Sequence, residues 1–129
     1  MELQQIFDTV ATHLLTQNCR STSGDATGTV GGCAYRGDNG TTCAVGCLIP
    51  DNMYLITMEG QNIDNDAVWA ALCPVIGANE HVKREKYDLL EDLQSVHDYC
   101  AVSDWPNRLQ LCANNFNLTF TPLPQGALS

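Results

Sequence analysis

The chain has 129 residues, 44% of them hydrophobic, and its 15 acidic side chains outnumber six lysines and arginines, which leaves a net charge of −9. This length suits one domain with its own hydrophobic core. With so few cations to neutralise phosphates, we expect no direct binding of nucleic acid or of an acidic membrane surface. The sequence contains no apolar run of about 18 residues, so we expect no membrane span. The N-terminus lacks the pattern of a secretory signal.

Four segments show the spacing of apolar residues that is typical of amphipathic helices. The predicted helices span residues 2–17, 83–100 and 104–115, and a further helix begins at Asp64 or Asn65 and stops at Gly77. The polar stretch 18–32 has no periodicity and is predicted to be a mobile loop. The tail over 118–129 is predicted to add one short strand at most and to fray in part.

A stretch rich in glycine and cysteine follows the first loop, with the sequence GGCAYRGDNGTTCAVGCLIPD over residues 31–51. Its Asp-Asn-Gly sequence at 38–40 tolerates positive φ, which favours a hairpin between strands at 33–36 and 41–45. The sequence therefore predicts an α+β fold with about four helices packed around a small β-hairpin. We expect a single domain over residues 1–129.

Seven cysteines without an export signal indicate a reducing cytosol, and their odd number excludes complete internal pairing. Free cysteine packs well in hydrophobic cores. We therefore expect most thiols outside the hairpin to be buried. These are Cys19, Cys73, Cys100 and Cys112.

The three cysteines of the predicted hairpin raise the question of a metal site. Cys33, Cys43 and Cys47 are separated by nine and three residues, and only the second spacing suits a zinc knuckle. No second knuckle is present further along the chain, so a fourth ligand would have to come from a distant segment, and His97 is the best candidate. The favoured interpretation is that these thiols pack within the hairpin and that the protein holds no metal and no cofactor.

Cys47 is also a candidate nucleophile, because a helix N-terminus lowers the pKa of a thiol. His97 would then serve as its base, oriented by an acid such as Asp51 or Glu59. We do not expect Asp98 to face His97, since adjacent helical residues point about 100° apart. A histidine on an apolar helix face is more often packed and hydrogen-bonded in the core, and that interpretation is favoured here.

A small-ligand pocket is the third interpretation of the hairpin. Its candidate residues are Tyr35, Arg36, Asp51, Glu59 and His97. Arg36 lies beside a glycine turn, where its guanidinium could hold a phosphate or a carboxylate, but a structural ion pair with Asp51 or Glu59 is favoured. The glycine-rich motifs of nucleotide-binding loops and the elbow motif of serine hydrolases are absent from the sequence.

The third predicted helix carries a concentrated acidic edge. Its members are Asp88, Glu91, Asp92 and Asp98. Charge complementarity speeds association and selects partners, so this edge predicts a binding surface for a basic host protein that itself binds nucleic acid. The competing interpretation is that the negative charge serves solubility alone.

These stretches together resemble a family of small phage and prophage proteins to which no function is assigned. The distinctive words are CAYRG, CAVGCLIPD, MEG and LQSVHD, and the similarity runs from the N-terminal helix to Phe116. Because the family has no assigned catalytic or binding residues, none can be transferred to this chain. The resemblance implies a phage-encoded accessory protein that works in the cytoplasm of a bacterial host.

Two functions are therefore expected. The first is a phage accessory protein that binds and inhibits a bacterial host defence protein through its acidic surface, as an anti-CRISPR protein does. The alternative is a small-ligand or nucleotide-binding protein, or a thiol- or zinc-dependent enzyme, that uses the cysteine-rich hairpin. A structural phage component is a weaker third hypothesis.

Overall fold

The computed structural model describes residues 1–22, 34–77 and 83–120, and the regular structure in these ranges is helical. The α-helices are α1 (Leu3–Gln17), α2 (Asp66–Ile76), α3 (Lys83–Tyr99) and α4 (Trp105–Asn115). All four helices predicted from apolar periodicity are confirmed.

The helix ends follow from local sequence. The side chain of Asn65 accepts hydrogen bonds from the amides of Ala67 and Val68, which caps the start of α2. Gly77 ends α2 with a φ of 68°, a conformation in which glycine avoids the steric cost that other residues meet. The ammonium of Lys86 then donates to the carbonyls of Ile76 at 2.8 Å and of Gly77 at 3.0 Å. A cation therefore satisfies the last carbonyls of α2.

The predicted β-hairpin is wrong, and with it the α+β fold class. Residues 34–51 contain one isolated antiparallel bridge, between Arg36 and Thr42, and no strand. The tight turn is present, because Asn39 and Gly40 have φ of 61° and 74°. After the bridge, however, the chain coils into a 3₁₀ turn at Gly46–Leu48. Cys33, the first residue of the predicted hairpin, lies outside the described residues.

Close packing explains why the returning segment does not extend. Ala44 and Val45 are fully buried in the core, so both successive side chains face inward, whereas a strand would send them to opposite faces. Gly46 lies directly against Tyr35, and a Cβ at that position would overlap the Tyr35 carbonyl oxygen. Burial of this segment therefore outweighs the pairing of an isolated two-stranded hairpin, which is marginal by itself.

The core lies between α1, α3 and α4, which pack against one another. Side chains of α2 and of residues 43–49 complete it. Its fully buried side chains include Ile6, Phe7, Leu14, Leu72, Leu89, Leu93, Trp105 and Leu109. None of the described helices has the length and apolar content that a membrane crossing requires.

The cysteines outside the predicted hairpin differ in burial. Cys112 is buried as predicted, and Cys73 and Cys100 are half-buried. The prediction is wrong for Cys19, which is exposed. It follows Asn18, whose left-handed conformation with a φ of 54° turns the chain away from the end of α1.

Two segments predicted to be mobile or frayed are described only in part. Within the first, residues 18–22 are described, and Arg20 and Ser21 bond to α3 or to the residue after it. Within the tail, Thr119 exchanges hydrogen bonds with the side chain of Gln4. Residues 23–32 and 121–129 lie outside the described residues.

Candidate functional site

A cleft opens between α3 and the segment 59–64. Its volume is about 430 Å³, and clefts that bind ligands typically measure about 300–1,000 Å³. Its acidic side chains are Glu59, Asp64, Glu91 and Asp98. Three tyrosines also line it, namely Tyr35, Tyr87 and Tyr99. No lysine, arginine or histidine is among the described residues around the cleft.

Glu59 anchors one wall of the cleft. Its carboxylate accepts hydrogen bonds from the amides of Tyr35 at 2.8 Å and Arg36 at 3.1 Å, and from the hydroxyl of Tyr54 at 2.5 Å. The hydroxyl of Tyr35 donates in turn to the carbonyl of Gln61 at 2.5 Å. These bonds fasten the segment that contains Glu59 and Gln61 to residues 35–36 and so fix the shape of this wall.

Asp98 is held on the opposite wall, on α3. It accepts from His97 Nδ1 at 2.7 Å and from Gln94 Nε2 at 3.0 Å. The other end of the Gln94 amide accepts from the backbone amide of Val45 at 2.9 Å. The expectation that His97 and Asp98 would not face each other is therefore wrong, because the imidazole ring and the carboxylate together span the angle between their Cβ directions.

His97 is fully buried, and both of its ring nitrogens are engaged. Nε2 accepts from the amide of Ser21 at 2.9 Å, so the neutral ring carries its proton on Nδ1. The ring stacks on Trp105 with 5.7 Å between centroids. The guanidinium of Arg20 binds the carbonyls of His97 and Cys100. This is the packed, hydrogen-bonded core histidine favoured by the sequence.

Ser21, His97 and Asp98 have the residue types of a hydrolase triad, but their geometry is different. His97 receives the backbone amide of Ser21, whereas a catalytic base must receive the serine hydroxyl. The Ser21 hydroxyl is buried and makes no hydrogen bond within the described part of the chain. The three residues therefore connect segment 18–22 to α3 and do not activate a nucleophile.

Arg36 forms the structural ion pair that the sequence favoured. Its guanidinium binds the Asp51 carboxylate at 2.7 Å and the Ile49 carbonyl at 3.0 Å. It also lies over the ring of Tyr54, 4.6 Å from the centroid. The alternative partner, Glu59, binds backbone amides of the same segment instead.

The structure divides the predicted small-ligand site. Tyr35 and Glu59 line the acidic cleft, whereas Arg36 and Asp51 border a separate hollow beside Cys47. His97 borders neither of these spaces and lies in the core. The five residues therefore do not surround one ligand.

The thiols of Cys43 and Cys47 are held in the protonated form. Burial raises the pKa of Cys43 to about 12 and that of Cys47 to about 12. The Cys47 thiol donates to the carbonyl of Ala44 at 3.1 Å. A nucleophile or a zinc ligand must be a thiolate, so this environment opposes both roles.

Metal binding has little support from the described residues. They contain no group of three or more histidine, cysteine, aspartate or glutamate side chains placed to hold a metal ion. Of the predicted zinc ligands, His97 uses both ring nitrogens within the protein. Cys33 lies outside the described ranges.

The four carboxylates of the predicted acidic edge lie in different surroundings. Glu91 and Asp98 line the cleft. Asp88 pairs with Arg84 one turn earlier on α3, at 3.3 Å. Asp92 is half-buried and accepts the thiol hydrogen of Cys112 on α4. Two of the four carboxylates are therefore placed to meet a molecule in the cleft.

The negative charge around the cleft contributes to the raised pKa values of two tyrosines. The pKa of Tyr35 is raised far above its ordinary value, chiefly by burial and further by electrostatic repulsion from Cys43, Asp98, Glu59 and Asp64, in that order. The pKa of Tyr87 is also raised, first by burial and then by its hydrogen bond to Glu91. A positively charged group would be attracted to this space.

Among the charged and aromatic residues of the cleft, three are not predicted from the sequence, namely Asp64, Tyr87 and Tyr99. Tyr87, Glu91, Ser95 and Asp98 recur at intervals of three and four residues along α3, and this spacing identifies one helix face. That spacing is the signal from which Tyr87 could have been found. Asp64 belongs to a distant segment, and only the fold brings it to that face.

Comparisons of the chain with protein-family models, with curated proteins and with solved structures found no match.

Proposed function

We propose that the chain is a phage-encoded accessory protein that binds and inhibits a bacterial host defence protein, in the manner of an anti-CRISPR protein. It would act in the cytoplasm of the bacterial host. The acidic cleft carries this proposal, since four carboxylates from two distant segments border one open space without a lysine, arginine or histidine among its described residues. Such a space favours a basic partner.

The chemistry of the partner follows from charge. Proteins that bind nucleic acids present clustered lysines and arginines to the phosphates. With a net charge of −9, this chain would be attracted to such a surface and would cover it. Bound there, it would exclude the nucleic acid that a defence protein must contact.

Exposed apolar side chains support a protein as the partner. Leu55 and Ile56 are 54% and 75% exposed, and Tyr99 at the cleft is 70% exposed. Interfaces are enriched in aromatic residues, and tyrosine is among the residues that contribute most to their affinity. A partner that contacts α3 at Tyr99 would combine apolar contact with the charge of the cleft.

The test is a phage plating assay in a bacterium whose defence system restricts the phage. Expression of the wild-type chain should restore plating. The double variant Asp64→Asn with Glu91→Gln removes two negative charges from the cleft and should lose most of that effect. The matched control, Asp8→Asn with Glu85→Gln, removes the same charge from exposed positions outside the cleft and should retain it.

Two results would contradict the proposal. One is a wild-type chain that leaves plating unchanged across a panel of defence systems. The other is a cleft variant, folded by circular dichroism and expressed at the wild-type level, that protects the phage as well as the control does.

A further inference from the structure

We infer that the cleft receives an arginine side chain of the partner protein, with its guanidinium held between tyrosine rings and carboxylates. The inference deepens the proposed function and rests on it, because the arginine belongs to the basic partner. It specifies which chemical group enters the cleft and which side chains hold it.

Two carboxylates of the cleft are available to bind such a group. Asp64 and Glu91 are both exposed, on opposite walls. Neither belongs to an ion pair among the described residues. Asp98 and Glu59 each accept two or more hydrogen bonds from the protein, whereas Glu91 has the bond to Tyr87. An incoming cation would therefore be held mainly by Asp64 and Glu91, with the other two adding negative charge.

The tyrosines of the cleft give this site a second recognition element that is independent of its charge. Tyr87 and Tyr99 border the cleft from α3, and Tyr99 is 70% exposed, whereas Tyr35 on the other wall is only 6% exposed and adds little ring surface. The face of an aromatic ring attracts cations within about 6 Å of its centroid. A space bordered by both rings and carboxylates suits an organic cation, because a strongly hydrated inorganic ion gains little from the rings.

The protein already binds guanidinium groups with the same combination of side chains. Arg36 lies over the ring of Tyr54 while its guanidinium binds the carboxylate of Asp51. On α3, Arg84 lies 5.8 Å from the centroid of Tyr87 and pairs with Asp88. Tyr87 is itself a cleft residue. One of the cleft rings therefore already has a guanidinium close to it.

Arginine fits the cleft better than lysine does. Its planar group can donate to two carboxylates at once and stack on an aromatic ring, and it sheds water more readily. The lysine ammonium is compact and strongly hydrated. The carboxylates of Asp64 and Glu91 stand on opposite walls, so a flat, forked donor is better suited to contact both.

The experiment is an NMR titration of the full chain with blocked tripeptides that differ only in the central residue. The peptides are Gly-Arg-Gly, Gly-Lys-Gly and Gly-citrulline-Gly, and citrulline keeps the shape of arginine without its charge. We expect the arginine peptide to shift the amides of Tyr87, Glu91 and Tyr99. The citrulline peptide should bind at least about tenfold more weakly, and the lysine peptide should lie between them.

Variants locate the binding. Asp64→Asn with Glu91→Gln should weaken binding of the arginine peptide by about fivefold or more. The control Asp8→Asn with Glu85→Gln should leave it unchanged. Equal binding of the arginine and citrulline peptides, or shifts confined to residues outside the cleft, would overturn the inference. Free arginine that binds far more tightly than the peptide would also overturn it, since the ligand would then be a small molecule.

The outcome can be separated from that of the proposed function. If the cleft variants lose phage protection but the wild-type chain does not bind the arginine peptide, the proposed function stands and this inference fails. If the peptide binds in the cleft but phage plating never changes, the inhibitory function fails, and with it the assignment of the arginine to a defence protein.

Discussion

His97 and Asp98 are adjacent on α3, yet their side chains are joined by a hydrogen bond of 2.7 Å between Nδ1 and Oδ1. Because Nε2 of the same ring accepts from the Ser21 amide, one buried side chain connects the N-terminal segment to the wall of the cleft. His97 therefore has a structural role that its polar character alone does not indicate.

Replacing His97 with alanine should destabilise the protein by about 3 kcal/mol, because it leaves the Ser21 amide without an acceptor and a cavity beside Trp105. Urea denaturation followed by circular dichroism would measure this change. Ser95→Ala, two residues earlier on α3, removes only a hydroxyl that binds the Glu91 carbonyl and should cost less than about 1 kcal/mol. Equal stability of both variants would show that the His97 hydrogen bonds contribute little.

Glu59 and Asp51 should differ sharply in their effect on stability. Glu59→Gln weakens a carboxylate that accepts from two amides and a tyrosine hydroxyl, so we expect a loss of about 2 kcal/mol. Asp51→Asn removes an ion pair whose aspartate is 95% exposed, and it should cost less than about 1 kcal/mol. Thermal unfolding of the two variants would contradict this account if their order were reversed.

Gly46 should not tolerate a side chain. Gly46→Ala places a Cβ against the Tyr35 carbonyl, and the backbone must move apart at a cost of about 2–3 kcal/mol. Gly40→Ala is the matched control, since that position has a φ of 74° but open space around it, and it should cost only about 1 kcal/mol. Denaturant unfolding should rank the variants in this order, and a fully stable Gly46→Ala protein would refute the close approach.

Stability should fall at alkaline pH. Burial raises the pKa of Cys43 and of Cys47 from 9.0 to about 12 in each case. The unfolded chain therefore loses these protons first as the pH rises. The stabilisation is complete below the unfolded value and is lost between pH 9 and about 12, by at most about 1.4 kcal/mol per pH unit for each thiol.

Unfolding by urea at a series of pH values would measure this loss. Cys47→Ala should make the decline less steep, because one of the thiols whose pKa is raised by burial is gone. A free energy of unfolding that stays level from pH 9 to pH 12 would contradict the protonated, buried state of these thiols.

The sequence predicts the helices well because their signal is local and repeated. Leu89, Leu93 and Val96 mark the buried face of α3 without knowledge of any other segment. The hairpin prediction failed because a turn signal at Asn39 and Gly40 does not determine the conformation of the residues after the turn. The burial of Ala44 and Val45 decides that conformation, and it depends on distant helices.

The sequence alone predicts only part of the cleft. Its α3 residues share a helix face that spacing indicates, and the sequence predicts two of them, Glu91 and Asp98, as partner-binding residues. On the opposite wall, Tyr35 and Glu59 are predicted as ligand-binding residues, but Asp64 is not, and both Glu59 and Asp64 become neighbours of α3 only after the chain has folded. No local pattern states that a loop will pack across a helix, so the cavity itself follows from the structure alone.

The series of hydrogen bonds from Ser21 through His97, Asp98 and Gln94 to Val45 has a mechanical consequence. Any cation that draws the Asp98 carboxylate towards itself competes with the His97 ring for the same oxygen. The backbone amides of Ser21 and Val45 lie at the two ends of this series. Their rates of hydrogen–deuterium exchange would then change together, although neither residue borders the cleft. Binding of a cation in the cleft would thus alter hydrogen exchange in two loops that the cation does not contact.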